Sequence, residues 1–327
     1  MESSMKRARF ISSTAILLAL ALTAILGFAG SGNSSASSGK DFRWVLAVPE
    51  NQGEWPRWNM PVAAFDGKLW AVQESHQAWS SADGIHWQRH ASNGGWGERF
   101  LPSVVFFQNE LWVLGGRSGS VAQSTFWNDV WASANGTDWI VKTRQAAWSP
   151  RWDFTTLVFR DKLWVFGGKG AGAAHDAWSS SDGVNWARAA AALPWPAGAA
   201  SEVFVYQDAL WCFSFGETPQ LWRSADGVQW TRTAVPAPWG KMLRKDVVVF
   251  GDRIWMMGGA NVKGEFYNDV WSSANGVRWE LIAEHAPWWP RLTNYSVVFD
   301  GKFWIYGGKN AKDDVWCLLL PAARAAR

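Results

Sequence analysis

Four arginines stand at one fixed distance from a tryptophan. Arg57, Arg99, Arg151 and Arg291 each lie thirteen residues before Trp70, Trp112, Trp164 and Trp304, and three of them follow a proline, Pro56, Pro150 or Pro290. A guanidinium offers paired N–H donors to a carboxylate or phosphate, so arginines repeated in register and gathered at one place would clamp an anion. The same register elsewhere holds Gly198 and Met242, the latter with Arg244 and Lys245 close by, so such a ring is incomplete. The competing use of these arginines is structural, with each donor spent on loop carbonyls of a neighbouring repeat. Trp58, Trp152 and Trp289 stand beside the arginines. An aromatic face next to a polar group suits stacking on a sugar or a peptide side chain, and it suits loop packing equally.

The acids that could share this place are Glu74, Glu217, Asp153, Glu202 and Asp246. A pair of carboxylates about 5–10 Å apart could do glycoside chemistry, whereas single loop carboxylates are commonly solvated or cap a backbone amide. Metal chemistry has less support. His86 and His90 are four apart, which on a strand separates them by roughly 13 Å, and His76, His175 and His285 follow no ligand spacing. The two cysteines, Cys212 and Cys317, form no CxxC pair, which argues against zinc, thiol redox work or a disulfide framework. Gly168-Lys169-Gly170-Ala171-Gly172 has a phosphate-friendly composition, but it follows a strand and opens no helix, so it reads as a loop between strands. No cofactor is expected.

The elements that must position these residues are announced by tryptophan, 28 in 327 residues. Four series recur. The first is Trp70, Trp112, Trp164, Trp211, Trp255 and Trp304; the second is Trp79, Trp131, Trp178, Trp222, Trp271 and Trp316. A third (Trp87, Trp139, Trp186, Trp230, Trp279) lies eight residues on, and a fourth (Trp96, Trp148, Trp195, Trp239, Trp288) nine residues later. The sixth copy stops after Trp316, and Trp44 and Trp55 near the N-terminus stand in for its missing third and fourth tryptophans. Within a copy, a run such as Ser103 to Phe107, a polar turn and a second run predict a hairpin. The third and fourth runs flank Asp-Gly or Asn-Gly, as at Asp83-Gly84, Asn135-Gly136 and Asp182-Gly183, residues that tolerate the positive φ of tight turns. Six four-stranded antiparallel units, the last completed by an N-terminal strand, predict an all-β six-bladed propeller over residues 41–327. Blades 1 and 4 lack the double glycine of the other four, and blades 2 and 5 share long loops ending in Phe126-Trp127-Asn128-Asp129 and Phe266-Tyr267-Asn268-Asp269. A three-blade unit was therefore duplicated.

Ahead of the propeller, Lys6, Arg7 and Arg9 precede an apolar run to Ala29, the order of a secretory signal or an uncleaved anchor over residues 1–29. Residues 30–40, GSGNSSASSG and a lysine, form a flexible linker. Lys plus Arg total 31 against 28 for Asp plus Glu, and removing the leader leaves 28 against 27, a balance with no electrostatic case for nucleic acid. An exported, monomeric or weakly associating protein is expected, meeting a membrane only through the N-terminal segment.

The hydrophobic run, the Gly-Gly pair, Asn-Asp-Val-Trp and a tryptophan eight residues on resemble the kelch repeat of six-bladed propellers, over residues 41–317. Kelch-like propellers include protein-binding modules, sialic acid epimerases of bacterial periplasm and the copper domain of galactose oxidase. The copper chemistry needs tyrosines, histidines and a cross-linked cysteine, which the four tyrosines and two strand-borne cysteines do not supply. The resemblance implies that the Pro-Arg positions face the ligand surface. Ser-x-Asp-Gly-x-x-Trp, at Ser81 to Trp87, Ser180 to Trp186 and Ser224 to Trp230, is similar to the Asp box of sialidases but one residue short. The leading expectation is a binding module for an acidic glycan, a sugar acid or a protein loop, built on Arg57, Trp58, Glu74, Arg99, Arg151, Trp152, Asp153, Glu202, Arg244, Trp289 and Arg291. The alternatives are an enzyme of sialic acid metabolism, epimerase-like or sialidase-like, and a non-catalytic surface scaffold.

Overall fold

A computed structural model describes residues 42–50, 61–72, 77–90, 95–119, 123–171, 174–197, 201–233, 238–292, 296–311 and 313–320. The N-terminal leader and linker, Trp55, Arg57, Trp58, Glu74, His76 and Gly198 lie outside the described residues.

Six four-stranded antiparallel sheets form the blades of a propeller. Blade 1 is Val62–Phe65, Lys68–Val72, Ala78–Ser81 and Gln88–His90. Blade 2 is Ser103–Phe107, Glu110–Leu114, Val130–Ser133 and Ile140–Thr143. Blade 3 runs from Thr155–Phe159 to Ala187–Ala190, blade 4 from Ser201–Tyr206 to Thr231–Thr233, and blade 5 from Met242–Phe250 to Glu280–Ala283. Blade 6 contains Ser296–Phe299, Lys302–Tyr306 and Val315–Leu319, and its outermost strand is Arg43–Val48, paired antiparallel with Trp44 opposite Leu318 and Leu46 opposite Trp316. The N-terminal strand therefore closes the ring, as the truncated sixth repeat requires. The first strands of successive blades are innermost and lie side by side around the axis.

The second strand of each blade is the most deeply buried, as in Leu69 to Val72, Leu111 to Leu114 and Leu163 to Phe166. It is covered on both faces by neighbouring blades, so it reads as an unbroken apolar run where a half-exposed strand would alternate. The first-series tryptophans are all buried there. In five blades the indole Nε1 donates to the backbone carbonyl five residues earlier, from Trp112 to Phe107 at 2.8 Å through Trp304 to Phe299 at 3.1 Å. Each fourth-series ring meets the third-series ring of the next blade edge to face: Trp96 and Trp139 at 4.7 Å, Trp148 and Trp186 at 5.9 Å, Trp195 and Trp230 at 5.1 Å, Trp239 and Trp279 at 5.1 Å. Trp288 finds its partner in Trp44 at 5.9 Å, so the N-terminal strand supplies the missing third tryptophan as the register predicts. Such pairs add about 0.5–1.5 kcal/mol each beyond the area they bury.

The shortened Asp-box-like turns lock one blade onto the last. In each, a serine Oγ accepts from the glycine N–H, and the Asp or Asn side chain accepts from the two backbone amides that follow the glycine, as at Ser180, Asp182, Gly183, Val184 and Asn185. Burial works to raise the Asp182 carboxyl, but the Asn185 side-chain amide, donating at 2.7 Å, and these backbone bonds hold it down at about 2. Gly183, at φ 70°, then presses on the previous blade: a Cβ there would come within 2.2 Å of the Trp112 ring. Gly136 on Trp70 and Gly227 on Trp164 repeat the contact at 2.3 and 2.5 Å. Gly84 of blade 1 meets Trp304 of blade 6 in the same way, at 2.9 Å, while on the blade 5 side of blade 6, whose outer strand comes from the N-terminus, Phe42 packs edge-on against Trp255 at 4.9 Å. Gly183→Ala combines left-handed strain with overpacking and should cost about 3 kcal/mol in urea unfolding. Gly67→Ala, at φ 67° with no neighbour within 4 Å, should lose only the strain; equal losses would remove the wedge role.

The duplicated loops of blades 2 and 5 fold alike. Asn128 donates to the carbonyls of Ala146 and Trp148 at 2.9 and 3.0 Å, and Asn268 to those of Ala286 and Trp288 at the same distances.

Candidate functional site

The arginines of the thirteen-residue register do not line an open mouth. Arg99, Arg151 and Arg291 are 1%, 0% and 0% exposed. Each donates to the carbonyl of the first glycine in its blade's double glycine, at 3.0 Å to Gly115, 2.9 Å to Gly167 and 2.9 Å to Gly307. Each also pairs with an aspartate, buried Asp129 at 2.7 Å, half-buried Asp176 at 2.7 Å and buried Asp314 at 2.5 Å. The same aspartates accept from the second-series indoles of Trp131, Trp178 and Trp316. The expectation that these arginines clamp a ligand is corrected on this point: a guanidinium whose donors are engaged inside the fold has none left for solvent. The carbonyls they meet belong to the blade that follows each arginine.

In blade 5, Lys245 does this work. It is fully buried, donates to the Gly258 carbonyl at 2.8 Å and pairs with Asp269 at 2.5 Å. Burial pulls its ammonium below the usual lysine range, and Asp269 opposes that pull. Blade 4 has neither the double glycine nor the aspartate. There Gln220 accepts from Trp222 at 3.2 Å, a neutral amide being sufficient where no buried cation needs a counter-charge. The signal was in the sequence, since Asp-x-Trp occurs in the four blades that carry Gly-Gly.

Because Lys245 occupies the interior position, its neighbour Arg244 is free to turn toward the axis. Arg244 lies eleven residues before Trp255, Asp153 eleven before Trp164, and Glu202 nine before Trp211. These three residues, from blades 5, 3 and 4, converge. Arg244 donates through Nη1 to Asp153 at 3.0 Å and through Nη2 to Glu202. Lys169, in the glycine-rich loop of blade 3, donates to the other Asp153 oxygen at 2.7 Å. Asp153 sits at φ 51°, a left-handed backbone that aspartate adopts more readily than most residues. The turn is held in place by the paired backbone bonds between Trp152 and Lys169, both 2.8 Å.

One guanidinium between two carboxylates drives their acidities apart. Burial works to raise the Asp153 carboxyl, but Arg244 and Lys169 together outweigh it and hold it below its ordinary range. Burial also dominates at Glu202, and there Arg244 is not enough to offset it, with Asp153 adding a like charge; the Glu202 carboxyl is pushed up. Glu202, ahead of Asp153, keeps the Arg244 guanidinium charged against the pull of burial.

The cluster opens into a cavity of about 220 Å³ at the end of the innermost strands. Its polar wall includes Ser103, Thr155, Ser201 and His175 beside the four charged groups, and Phe154, Phe166 and Trp195 supply aromatic surface. His175 is anchored by its Nε2 on the Trp195 carbonyl at 2.5 Å. A second cavity of about 200 Å³ shares Ser103, Asp153, Phe154 and Arg244 with the first.

Of the residues named from sequence, Asp153, Glu202 and Arg244 are brought together here. Trp152 stands beside them with Arg117 4.7 Å and Lys169 5.3 Å from its ring centre, so its face is taken by the protein's own cations. Trp289 is 52% exposed and outside both cavities. Glu217 is exposed and paired with Lys241, and neither it nor Asp246 lines either of these two cavities. Lys169 and Ser103 were not expected in the site; the Gly-Lys-Gly loop was the available signal for the first. Among the described residues no group of three or more His, Cys, Asp or Glu is placed to hold a metal ion. Cys212 and Cys317 are unpaired and buried, and burial raises both thiols.

No protein-family model matches the chain, and no curated protein matches it. Among solved structures, one titled "Structure of YjhT" is similar at 17% sequence identity with a TM-score of 0.67, over 86% of this chain and 98% of that one. At that identity the likeness is one of fold, and it joins the strand order, the N-terminal closure and the tryptophan register in identifying the chain as a six-bladed β-propeller.

Proposed function

We propose that the protein takes a sugar acid into the cavity at the mouth of its channel and exchanges a proton with it through Glu202 and Asp153. The observation that carries this reading is Arg244 held between the two carboxylates on the wall of a cavity of about 220 Å³. A guanidinium has five N–H donors and an ammonium three. After their contacts with Asp153 and Glu202, Arg244 and Lys169 keep donors for an incoming carboxylate. The serine and threonine hydroxyls suit sugar hydroxyls, and Phe154 and Trp195 offer apolar surface to a ring face. A cavity of this size accommodates a monosaccharide.

The split acidities favour acid–base work over binding alone. Two carboxyls pushed in opposite directions are suited to opposite tasks, one as proton donor and one as acceptor. In an anomer exchange, Glu202 would donate to the ring oxygen as its bond to the anomeric carbon breaks. Asp153 would take the proton of the anomeric hydroxyl, which becomes the carbonyl. This agrees with the epimerase-like alternative implied by the kelch resemblance.

Proton NMR of sialic acid, uronic acids, neutral sugars and sialyl-lactose, with and without the protein, tests the proposal. Acceleration of anomer exchange for the acids supports it; line broadening alone reduces it to a binding site; spectra unaffected throughout refute it. The rate should fall as pH rises through the Glu202 pKa, which lies above the ordinary 4.5, because the donor is lost on ionisation. Glu202→Gln should abolish that fall while binding persists, and an unchanged pH profile would remove Glu202 from the role.

A further inference from the structure

Blade 3 breaks a rule that blades 2 and 5 keep. Three residues before their second-series tryptophans stand Asn128 and Asn268, and at the same place blade 3 has His175. Each asparagine side chain donates to two loop carbonyls, Asn128 to those of Ala146 and Trp148, Asn268 to those of Ala286 and Trp288. Its backbone carbonyl accepts from the Ala146 or Ala286 amide. In blade 3 Leu193 and Trp195 take the matching places: the Leu193 amide donates to the His175 backbone carbonyl at 2.9 Å, and Nε2 of His175 meets the Trp195 carbonyl at 2.5 Å. The imidazole thus makes one of the two side-chain bonds and forfeits the one that an asparagine would make to the Leu193 carbonyl. A local rule broken at a loss in bonding points to a site, and the blade that breaks it is the one whose loop walls the polar cavity. We infer that His175 is a ligand-binding residue, its Nδ1 accepting a hydrogen bond from a hydroxyl of the sugar acid in that cavity. The inference rests on the sugar-acid reading and adds to it a residue that selects among such acids.

The chemistry of the ring supports this. A carbonyl oxygen can only accept, so Nε2 carries the proton, and in the neutral imidazole Nδ1 is left with a lone pair. Nδ1 meets no hydrogen-bonding group among the described residues. The ring is half-buried and lines the cavity that Lys169, Glu202 and Trp195 also line. Its bond to the Trp195 carbonyl holds it in place, so the acceptor is set before a ligand arrives. The other acceptors of this wall are already engaged by cations. Oδ1 of Asp153 takes Arg244 and Oδ2 takes Lys169, and Arg244 also bonds Glu202. Those cations suit the carboxylate of a sugar acid. A neutral lone pair does the reverse: it repels a carboxylate or an ether oxygen and takes an O–H. The ligand is thereby oriented, with its carboxylate toward Arg244 and Lys169 and a hydroxyl toward His175.

Affinities of D-glucuronic acid and of tetrahydropyran-2-carboxylate, a ring acid without hydroxyls, measured by NMR titration on the wild type and on His175→Asn, test the assignment. The variant installs the residue that blades 2 and 5 use, so its Tm should equal or exceed that of the wild type. D-Glucuronic acid should bind the variant about threefold to tenfold more weakly, whereas tetrahydropyran-2-carboxylate, with no hydroxyl to offer, should bind both proteins alike. Unchanged affinity for both acids would overturn the assignment and leave His175 as a loop tie. An equal loss for both would trace the effect to a displaced wall and overturn it as well. A lowered Tm would remove the premise that the histidine is kept against the preference of the repeat. Failure of both acids to bind the wild type would refute the sugar-acid reading itself, a result distinct from binding that His175→Asn leaves untouched.

Discussion

Replacing Arg291 with methionine should lower the stability of the propeller by about 3–5 kcal/mol, since it leaves a buried carboxylate without its cation. The guanidinium bonds Asp314 through both Nη1 and Nη2, at 2.5 and 2.9 Å, and it also ties the Gly307 and Trp289 carbonyls. Asp314 would keep only the Trp316 indole, at 2.7 Å. For a chain of this size the change corresponds to a fall in Tm of roughly 10 °C. Urea unfolding of Arg291→Met, Asp314→Leu and the double variant measures it. The double variant should recover part of the loss, because it removes the uncompensated charge along with the pair. Sugar-acid affinity in the folded protein should be unchanged, as Arg291 touches neither cavity. Lost affinity at unchanged stability would return Arg291 to the ligand clamp read from the sequence.

Arg244→Ala should show the opposite profile. Arg244 is 25% exposed and joins Asp153 of blade 3 to Glu202 of blade 4. Removing it deletes the charge-assisted donors to a ligand carboxylate, each worth about 1.5–3 kcal/mol, or roughly tenfold to a hundredfold in Kd. It also deletes the cation that opposes burial at Glu202, whose carboxyl should then rise further and stay protonated. The folded state should lose less than in Arg291→Met, because Asp153 retains Lys169 at 2.7 Å and Glu202 can go neutral. Paired titration and unfolding measurements separate the two arginines. Arg244→Lys should restore the charge without the two-sided geometry, recovering part of the affinity. Affinity kept in Arg244→Ala would exclude the mouth as the binding site.

The contrast between these arginines shows how far a repeat can be read without its structure. Arg291 and Arg244 lie thirteen and eleven residues before their tryptophans, and on a strand both would point to one side. In blade 5 Arg244 does lie on the strand Met242–Phe250, whose pairing shifts register on either side of it, but in blades 2 and 3 the chain is not a strand at these positions. At Asp153 and Leu101 it passes through the left-handed region, which turns the thirteenth residue inward to the double glycine and the eleventh outward to the mouth. Nothing in residue type marks that turn, because Leu101 is among the residues least suited to it. The exchange of roles in blade 5, where Lys245 is buried and Arg244 displayed, is likewise invisible to a count of spacings. The missed role of Lys169 has the same origin: its loop was recognised, but the partner that makes it part of a site is sixteen residues away across a backbone bridge.

By itself the sequence determined the architecture. Tryptophans at four fixed phases, apolar second strands and Gly-containing turns demand blades that pack face to face, and a last repeat missing its fourth strand demands closure by the N-terminus. These are local and periodic properties, and side-chain size and backbone preference express them directly. Only the tertiary structure decided which charges are interior and which are displayed. That choice depends on which carboxylate each cation can reach once the blades are arranged around the axis, and Asp153, Glu202 and Arg244 meet only because three blades bring together residues 42 and 91 positions apart.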